Sequence, residues 1–548
     1  MGGGPHFIQR ISENIRDLCD EDYATFAFKE GDIRWKWQDL ELNSNWVRNE
    51  LSDLQRGVVL IFLRDMRMIH ASLFGALLSG FIPSIMPCTS PKQDSGAYWK
   101  SHNELLARIE PIAILTVQEV HSEMVDAGMI LDNIKLIEID MMEPIEREFS
   151  SYSSASGDIA LLQHSSGTTG LKKGVSLTNK AVALHSERYG SALAIGKGDS
   201  VASWLPLYHD MGLMACMVMP AYHGVPIVQM DPFDWTADPQ SFLEMIERNN
   251  TTLCWMPNFA FDLYANISSV LRDNIDVSCM RGWINCSEVC RPESMDRFQN
   301  QMGVFGVGNE DVQCCYAMAE TVFAVSQTEI GRARSPACFA SESLNRGSKA
   351  TLDTHGVQIA SSGKKLEGID IAAYNERGEP LAEGYVGELG IRGDYLFSGY
   401  FNLREETESR IVESIYFTRD LGFTFEGEVY VLGRTDDVII VNGRNVYAHQ
   451  VESILSMIEG VKPGRSAALG LVNHSTGSEV LITVCELEIG FSATERNGLK
   501  REIKKAVFDE IGIAPQRIEF VKPGWIRKTS SGKISRKENL RRYLDEFE

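Results

Sequence analysis

At 548 residues the chain is too long for one ordinary hydrophobic core, so at least two domains are expected. Its 53 lysines and arginines against 75 aspartates and glutamates give a formal net charge of −22, which argues against a nucleic-acid binder working through a basic surface. Any acidic ligand must then be met by local positive groups.

The 11 cysteines lie scattered, and Cys314 with Cys315 or Cys286 with Cys290 finds no partner at metal-ligand spacing. Reduced thiols in a cytoplasmic protein are expected. The N-terminus reads neither as a basic-then-apolar leader nor, with His6 at the sixth position, as a myristoylation site. The most apolar run, Met211 to Tyr222, is too short to span a bilayer, so no membrane span is expected.

In chain order, Val58 to Leu63 reads as a continuous apolar strand. Met66 to Leu78 has helical spacing and stops at Gly80, before a second strand at Ile82 to Met86. Ser101 and Glu104 have the spacing of a capping box opening the next helix, which leads to a strand at Ala113 to Leu115. This alternation predicts an α/β fold with a parallel sheet and flanking helices. Ser150 to Ser156 reads as a surface loop. Asp158 to His164 and Lys173 to Leu177 read as strands, with Val201 to Leu205 and Thr252 to Met256 further on. Near Gly433 the composition changes. Val438 to Val441 is a short strand, and two helical faces follow: Val451, Ile454, Leu455 and Ile458, then Leu499, Ile503, Val507 and Ile511. A large N-terminal domain of mixed and parallel sheets over residues 1–433 is expected, with a hinge at 434–437. A small, mobile α+β domain over 438–548 completes it.

The loop between the strands at 158 and 173 holds Ser165, Ser166, Gly167, Thr168, Thr169 and Gly170, then Lys172 and Lys173. Glycines let backbone N–H groups approach a ligand, hydroxyls add donors and a lysine adds a point charge, a combination suited to phosphate. It is not the loop G-x-x-x-x-G-K-[ST], because Gly174 follows Lys173. On composition alone a solvated turn between strands is the better reading.

With the segments that follow it in order, this loop resembles the phosphate-binding signature of the acyl-adenylate-forming enzymes. The resemblance covers nearly the whole chain and is weakest in the first 50 residues. Trp204 to Gly212 resembles a second signature, whose histidine, here His209, sits where the acyl group meets ATP. Asp210 is open between pairing a substrate amine and accompanying the histidine as it does in fatty-acid-activating relatives. Cys254 to Phe261, with Asn258 and Phe259, is similar to the pocket-lining segment of the fatty acyl-AMP ligases in particular. An aliphatic tail gains about 0.8 kcal/mol per buried methylene in such a pocket. Trp204 and Met214, with Met211, Met217 and Met219, extend the apolar set, for which a plain core role is the alternative.

Asn285 to Glu293, with Ser287 and Glu288, resembles the segment that packs on adenine. Tyr316 to Thr321 resembles the motif whose tyrosine stacks on the base, through Ala317 and Met318, and whose glutamate, Glu320, holds Mg2+. A single carboxylate suits magnesium, which otherwise takes water and phosphate oxygens. Phe417 to Asp420 stands where the family has a glycine before its aspartate. The resemblance gives Asp420 the ribose hydroxyls, whereas Arg419 must point away from the nucleotide or touch it. Gly433 to Asp437 resembles the hinge, with Arg434 reaching the ribose and Asp437 absorbing the rotation. Ile439 to Asn445 is closer to the fatty acyl-AMP ligases than to CoA-using relatives. Lys528 to Ile534 resembles the last signature, whose lysine, Lys533, bridges carboxylate and α-phosphate. Lys172 and Arg527 replace prolines, and Ala317 replaces a glycine.

The stretch from Thr321 to Gly363 stands where fatty acyl-AMP ligases carry an insertion thought to discourage CoA. The resemblance therefore implies a ligase that joins ATP and an aliphatic carboxylic acid into acyl-adenylate and pyrophosphate. The acyl group then passes to the 4'-phosphopantetheine of an acyl carrier protein, expected in trans because no carrier domain follows Glu548. Two alternatives stay open: CoA as acceptor, and an inactive nucleotide-binding homologue.

Overall fold

The structure, a computed structural model, describes residues 6–89, 95–139, 143–146, 154–165, 173–441, 444–473, 478–488, 492–529 and 533–548. Ser166 to Gly170, Lys172 and part of the Ser150 to Ser156 loop lie outside the described residues. So do positions 442–443 and 530–532. By contact density the chain divides into two units. The first holds Met1–Ser335, Ser362–Asp370 and Arg392–Tyr416, and the second holds Pro336–Ser361, Ile371–Ile391 and Phe417–Glu548.

In the first unit the expected strand–helix alternation builds a parallel four-stranded sheet, ordered Ile82–Ile85, Val58–Ile61, Ala113–Thr116, Lys135–Glu138. Asp65 caps the helix Met66–Leu78 by accepting the Arg67 N–H, and the chain leaves it through Gly80 at φ +79°. The capping box expected at Ser101 is a correction. The helix there is Ser95–Ile109, so Ser101 lies inside it and its hydroxyl donates back to the Tyr98 carbonyl at 2.8 Å. Buried Tyr98 and Trp99 extend the apolar face toward the N-terminus, and that packing outweighs the local cap signal.

The main sheet of this unit runs Ser361–Lys365, Ala324–Gln327, Val312–Ala317, Gly282–Asn285, Leu253–Met256, Val201–Ser203, Ile227–Met230, Asp22–Phe28, Gly31–Lys36. From Val312–Ala317 to Asp22–Phe28 every pairing is parallel, and the edges are antiparallel. Four central strands therefore end on one edge, followed by Trp204, Asn258, Ser287 and Met318 respectively. In open parallel sheets that carboxyl edge is where ligands bind. Beside this sheet, Ile159–Ser165 and Lys173–Thr178 form an antiparallel hairpin with Ser165 opposite Lys173.

In the second unit the long strands Ile415–Phe425 and Glu428–Arg434 pair antiparallel. The hairpin of Ala337–Phe339 and Val357–Ile359 shares a core with them, built on Phe339, Leu344, Phe423, Tyr430 and Tyr447. Further on, Val438–Val441 pairs with Arg444–Tyr447, and Val461–Asn473, Ser478–Leu487 and Arg517–Val521 make a three-stranded sheet. Both helical faces expected from periodicity, on Ala448–Ser456 and Ala493–Ile511, bury Val451, Leu455, Leu499, Ile503 and Val507 in one core. Among the described residues no helix is long and apolar enough to cross a membrane.

Candidate active site

The turn after Val312–Ala317 is tightly wound. Met318 N–H bonds the Phe323 carbonyl at 2.9 Å, and the Thr321 hydroxyl lies within reach of the carbonyls of Met318 and Phe323. Val322 sits at φ +67°, which a β-branched residue adopts only under strain of about 1–3 kcal/mol. The turn presents Glu320, a largely buried carboxylate whose Oε1 accepts the Tyr400 hydroxyl at 2.8 Å. Burial first, and then the Glu320 charge, push the Tyr400 phenol upward, so it stays a donor. Arg410 is buried nearby, with its guanidinium 5.7 Å from the centre of the Tyr416 ring. Burial opposes its charge, but Tyr416, Tyr400 and Glu320 outweigh that and raise its pKa.

Lys173 enters the same group from the hairpin. Its ammonium lies 5.0 Å from the centre of the Tyr400 ring and pairs with Glu406. Lys173, Tyr400 and Glu320 thus form a continuous polar chain inside a protein of net charge −22. Ser166 to Gly170, expected to cradle phosphate, lie outside the described residues, as does the side chain of Ser165.

Whether a magnesium-bound nucleotide fits can be judged from the groups present. Oε2 of Glu320 has no hydrogen-bond partner among the described residues, and the amide of Gln163, on the strand leading into the loop, is buried with both ends unpartnered. A carboxylate oxygen and a spare amide fit a hydrated divalent cation on phosphate.

On the same sheet edge, His209 Nδ1 lies 2.6 Å from Asp210 Oδ1, each side chain 16% exposed. The same Nδ1 also lies 3.4 Å from the Met211 N–H, which places the imidazole against the start of the following helix. Asp210 also accepts the Met211 N–H at 2.8 Å, capping the π-helix Met211–Val218. Only glycine fits at 212, where a Cβ would lie 2.4 Å from the Pro206 carbonyl oxygen. Asp210 is thus occupied in orienting His209 and starting this helix. Met211, Met214, Met217 and Met219 are all buried. Met211 Sδ touches the Ser287 hydroxyl at 3.6 Å, joining the apolar set to the segment expected at the adenine.

Trp204 stacks on Trp235 at 3.6 Å and 2°, and Phe259, 41% exposed, meets both edge-on. Asn258 is fully buried. Its backbone N–H bonds Glu288, its Nδ2 bonds the Val289 carbonyl, and its Oδ1 accepts Asn285 Nδ2 and Arg291 N–H. It therefore fastens the loop after Asn285, in which Ser287 is held at φ +79°. Tyr316 is 8% exposed at the end of its strand, and Ala317 and Met318 are half-buried beyond it.

Within the second unit Asp420 faces Arg434 across the strand pair, with Oδ1 and Nε 3.5 Å apart. Arg419 sits at φ +61°, a conformation that favours glycine, and its side chain turns to Asp436 at 3.5 Å. Asp437 accepts Arg536 at 2.6 Å. Lys533 is half-buried just before the helix Arg536–Phe547, and its ammonium has no ion-pair or hydrogen-bond partner among the described residues.

The sequence reading missed Gln163, Tyr400 and Arg410. Their relationship to Glu320 is made only by folding, and no local pattern marks it.

Residues 17–401 match the AMP-binding enzyme family. The medium-chain-fatty-acid–[acyl-carrier-protein] ligase JamA of Moorena producens is 28% identical over 558 aligned residues, covering 96% of this chain and 91% of that protein. A putative fatty-acid–CoA ligase of Mycobacterium tuberculosis, fadD25, is 29% identical over 508, covering 87% and 86%. Among solved structures, one from work on fatty acyl-adenylate ligases of E. coli and L. pneumophila superposes with a TM-score of 0.88 at 23% identity, covering 99% of this chain and 98% of that one. The McyG A-PCP complex with phenylalanyl-adenylate gives 0.88 at 21%, covering 100% and 84%. At these identities the structures speak for the fold.

Proposed function

The chain belongs to the AMP-binding enzyme family, and from that premise we propose that it activates an aliphatic carboxylic acid with ATP. The products of this step are acyl-adenylate and pyrophosphate, and a phosphopantetheine thiol on a carrier protein, acting in trans, then takes the acyl group. The observation that carries the reading is the buried carboxylate of Glu320, held by Tyr400 beside Lys173 at the carboxyl edge of a parallel sheet. The names of JamA and of the fatty acyl-adenylate ligases support an aliphatic acid.

Glu320 Oε2 would hold Mg2+, whose charge would offset that developing on phosphate. Lys173 and the Ser165 to Gly170 loop would hold the phosphates, with Lys173 exchanging Glu406 for a phosphate oxygen. Ser287, Glu288, Tyr316, Ala317 and Met318 form the adenine wall. Asp420 would accept the ribose hydroxyls, oriented by Arg434. His209, held beside Asp210, sets the end of the acyl channel, which Trp204, Met214 and Phe259 line and Asn258 holds in shape. Lys533 neutralises charge at the α-phosphate, and Asp437 is the hinge that lets the Lys533 segment leave after adenylation. Catalysis on this account is positioning and electrostatic stabilisation, without a covalent enzyme intermediate.

Exchange of labelled pyrophosphate into ATP, run across a series of straight-chain acids, tests the reading. Exchange dependent on an aliphatic acid is expected, and exchange with none of them would sink it. Thioester assays with CoA and with a phosphopantetheinylated carrier protein separate the acceptors, because the name of fadD25 supports CoA.

A further inference from the structure

Gln163 lies on Ile159–Ser165, opposite Val175 of the neighbouring strand. Strand alternation places it on the same face as Val175 and Lys173. The other face, with Leu162 and His164, turns toward Ser84, whose hydroxyl contacts the Leu162 carbonyl and His164 Nδ1. Lys173, on the Gln163 face, lies over the ring of Tyr400, which hydrogen-bonds Glu320. Val175 itself bridges to Tyr400, and the hairpin packs on the turn Ala319–Thr321. Gln163 is 4% exposed, and neither its Nε2 nor its Oε1 has a partner among the described residues.

An amide buried with both ends unmatched penalises the protein alone, and an apolar side chain of similar size would suit that position better. A ligand that satisfies it must offer an acceptor and a donor together. Magnesium-bound triphosphate does so, through its phosphate oxygens and the waters on the metal. We propose that Gln163 is a nucleotide-binding residue, its NH2 donating to a phosphate oxygen and its carbonyl oxygen accepting from a metal-bound water. This rests on the reading of the chain as an ATP-dependent ligase and adds to it a residue from the strand ahead of the phosphate loop.

The structure sets this apart from a packing role through opposite signs. Gln163→Met removes the unmatched amide at nearly constant volume, so without nucleotide its melting temperature should equal or exceed the parent's. Its affinity for MgATP, read by nucleotide-dependent thermal shift and by the half-saturating ATP concentration in exchange, should fall about tenfold to a hundredfold, the loss of hydrogen bonds to charged partners. The half-saturating acid concentration should not move. Gln163→Glu keeps the size but sets a carboxylate against phosphate, and should bind MgATP more weakly still. A folded Gln163→Met that binds MgATP within twofold of the parent overturns the proposal. So does a methionine variant with a lowered melting temperature together with a glutamate variant that binds MgATP normally. If MgATP fails to stabilise the parent, the ligase reading falls with it. If the parent is stabilised and both variants equally so, only the assignment of Gln163 falls.

Discussion

The guanidinium of Arg536 donates to Asp437 Oδ2 at 2.6 Å, so the residue opening the helix after Lys533 is tied to the expected hinge. The same guanidinium bonds both carboxylate oxygens of Glu452, at 2.9 and 2.5 Å, and Glu452 Oε1 also accepts the Ala468 N–H. Arg536 thus joins three segments of the second unit, and it is only 20% exposed. Removing it leaves Glu452 and Asp437 uncompensated, at a cost of about 3–5 kcal/mol for a buried pair. Arg536→Met is expected to lower the melting temperature and slow adenylation. Arg536→Lys should restore stability more than rate, because a lysine cannot bond both carboxylates in the same geometry. Equal recovery of both in the lysine variant would mean that Arg536 only holds the fold.

Lys533→Ala should bind ATP normally and fold normally, yet lose exchange by about 10²–10³-fold, the scale of removing one donor to developing charge. Its ammonium has no partner among the described residues, so no fold contact is lost with it. Thioester formation from preformed adenylate should be little changed. Near-normal exchange in this variant would remove Lys533 from the chemistry.

Two of the four strands whose ends carry the candidate site, at Val201–Ser203 and Leu253–Met256, were legible in the sequence as short apolar runs, whereas Gly282–Asn285 and Val312–Ala317 carry too little apolar pattern of their own to be read as strands. The segments after them supplied His209, Ser287 and Glu320 through their resemblance. What stayed hidden is pairing across long separations. Tyr400 and Glu320 are 80 residues apart, and no pattern near either announces the other. Asn258 was read as a pocket residue from its segment, and only the folded geometry reveals that its amide also fastens the 285–291 loop. The Ser101 capping box failed because Tyr98 and Trp99 are buried by contacts that the local sequence does not encode.

Arg419 is the departure whose backbone explains the family's glycine. At φ +61° it occupies a conformation costing about 1 kcal/mol for a side chain with a Cβ. Its compensation, the contact with Asp436, is between half-exposed groups and is worth under about 1 kcal/mol. Arg419→Gly should therefore leave the melting temperature within a few degrees of the parent and exchange within about threefold. A loss beyond tenfold in exchange, with the fold intact, would mean that the guanidinium contacts the nucleotide.

His70 makes the first unit acid-sensitive. It is fully buried, with Nδ1 against the Tyr23 hydroxyl at 2.7 Å and Nε2 against Gln229 Oε1 at 2.8 Å. Burial lowers it to about 4, against smaller raising effects of Gln229 and Asp65. The unfolded chain takes up this proton near 6.5. Between those values the unfolded state binds more protons, so stability rises with pH through the window, is fully present above about 6.5 and is lost as pH falls toward 4. Thermal and urea melts from pH 7.5 to 4.5 should show the decline, and His70→Gln should reduce its slope by about 1.4 kcal/mol per pH unit. An unchanged slope would show that His70 is not the group responsible.

The last prediction concerns Pro336–Ser361, which falls in the second unit and is clipped to the strand Arg444–Tyr447. The Tyr447 hydroxyl donates to the Leu344 carbonyl at 3.0 Å, and the Asn445 N–H reaches Asn345 Oδ1 at 3.4 Å. Phe339 anchors the segment against Phe423 and Tyr430, with ring centres 5.1 and 5.4 Å away. If this segment restrains a rearrangement that CoA needs, removing the clip while keeping the anchor should release it. Shortening the chain between Ser341 and His355 takes away the Leu344 and Asn345 partners but leaves Phe339 in place. Adenylate formation should persist and measurable acyl-CoA should appear. Tyr447→Phe, which loses one hydrogen bond worth about 1 kcal/mol, should give the same change in miniature, a rise of about fivefold in acyl-CoA yield. Two results oppose this account. Efficient acyl-CoA formation by the intact chain leaves nothing for the segment to restrain. A shortened chain that folds and adenylates but makes no acyl-CoA would show that the clip serves stability alone.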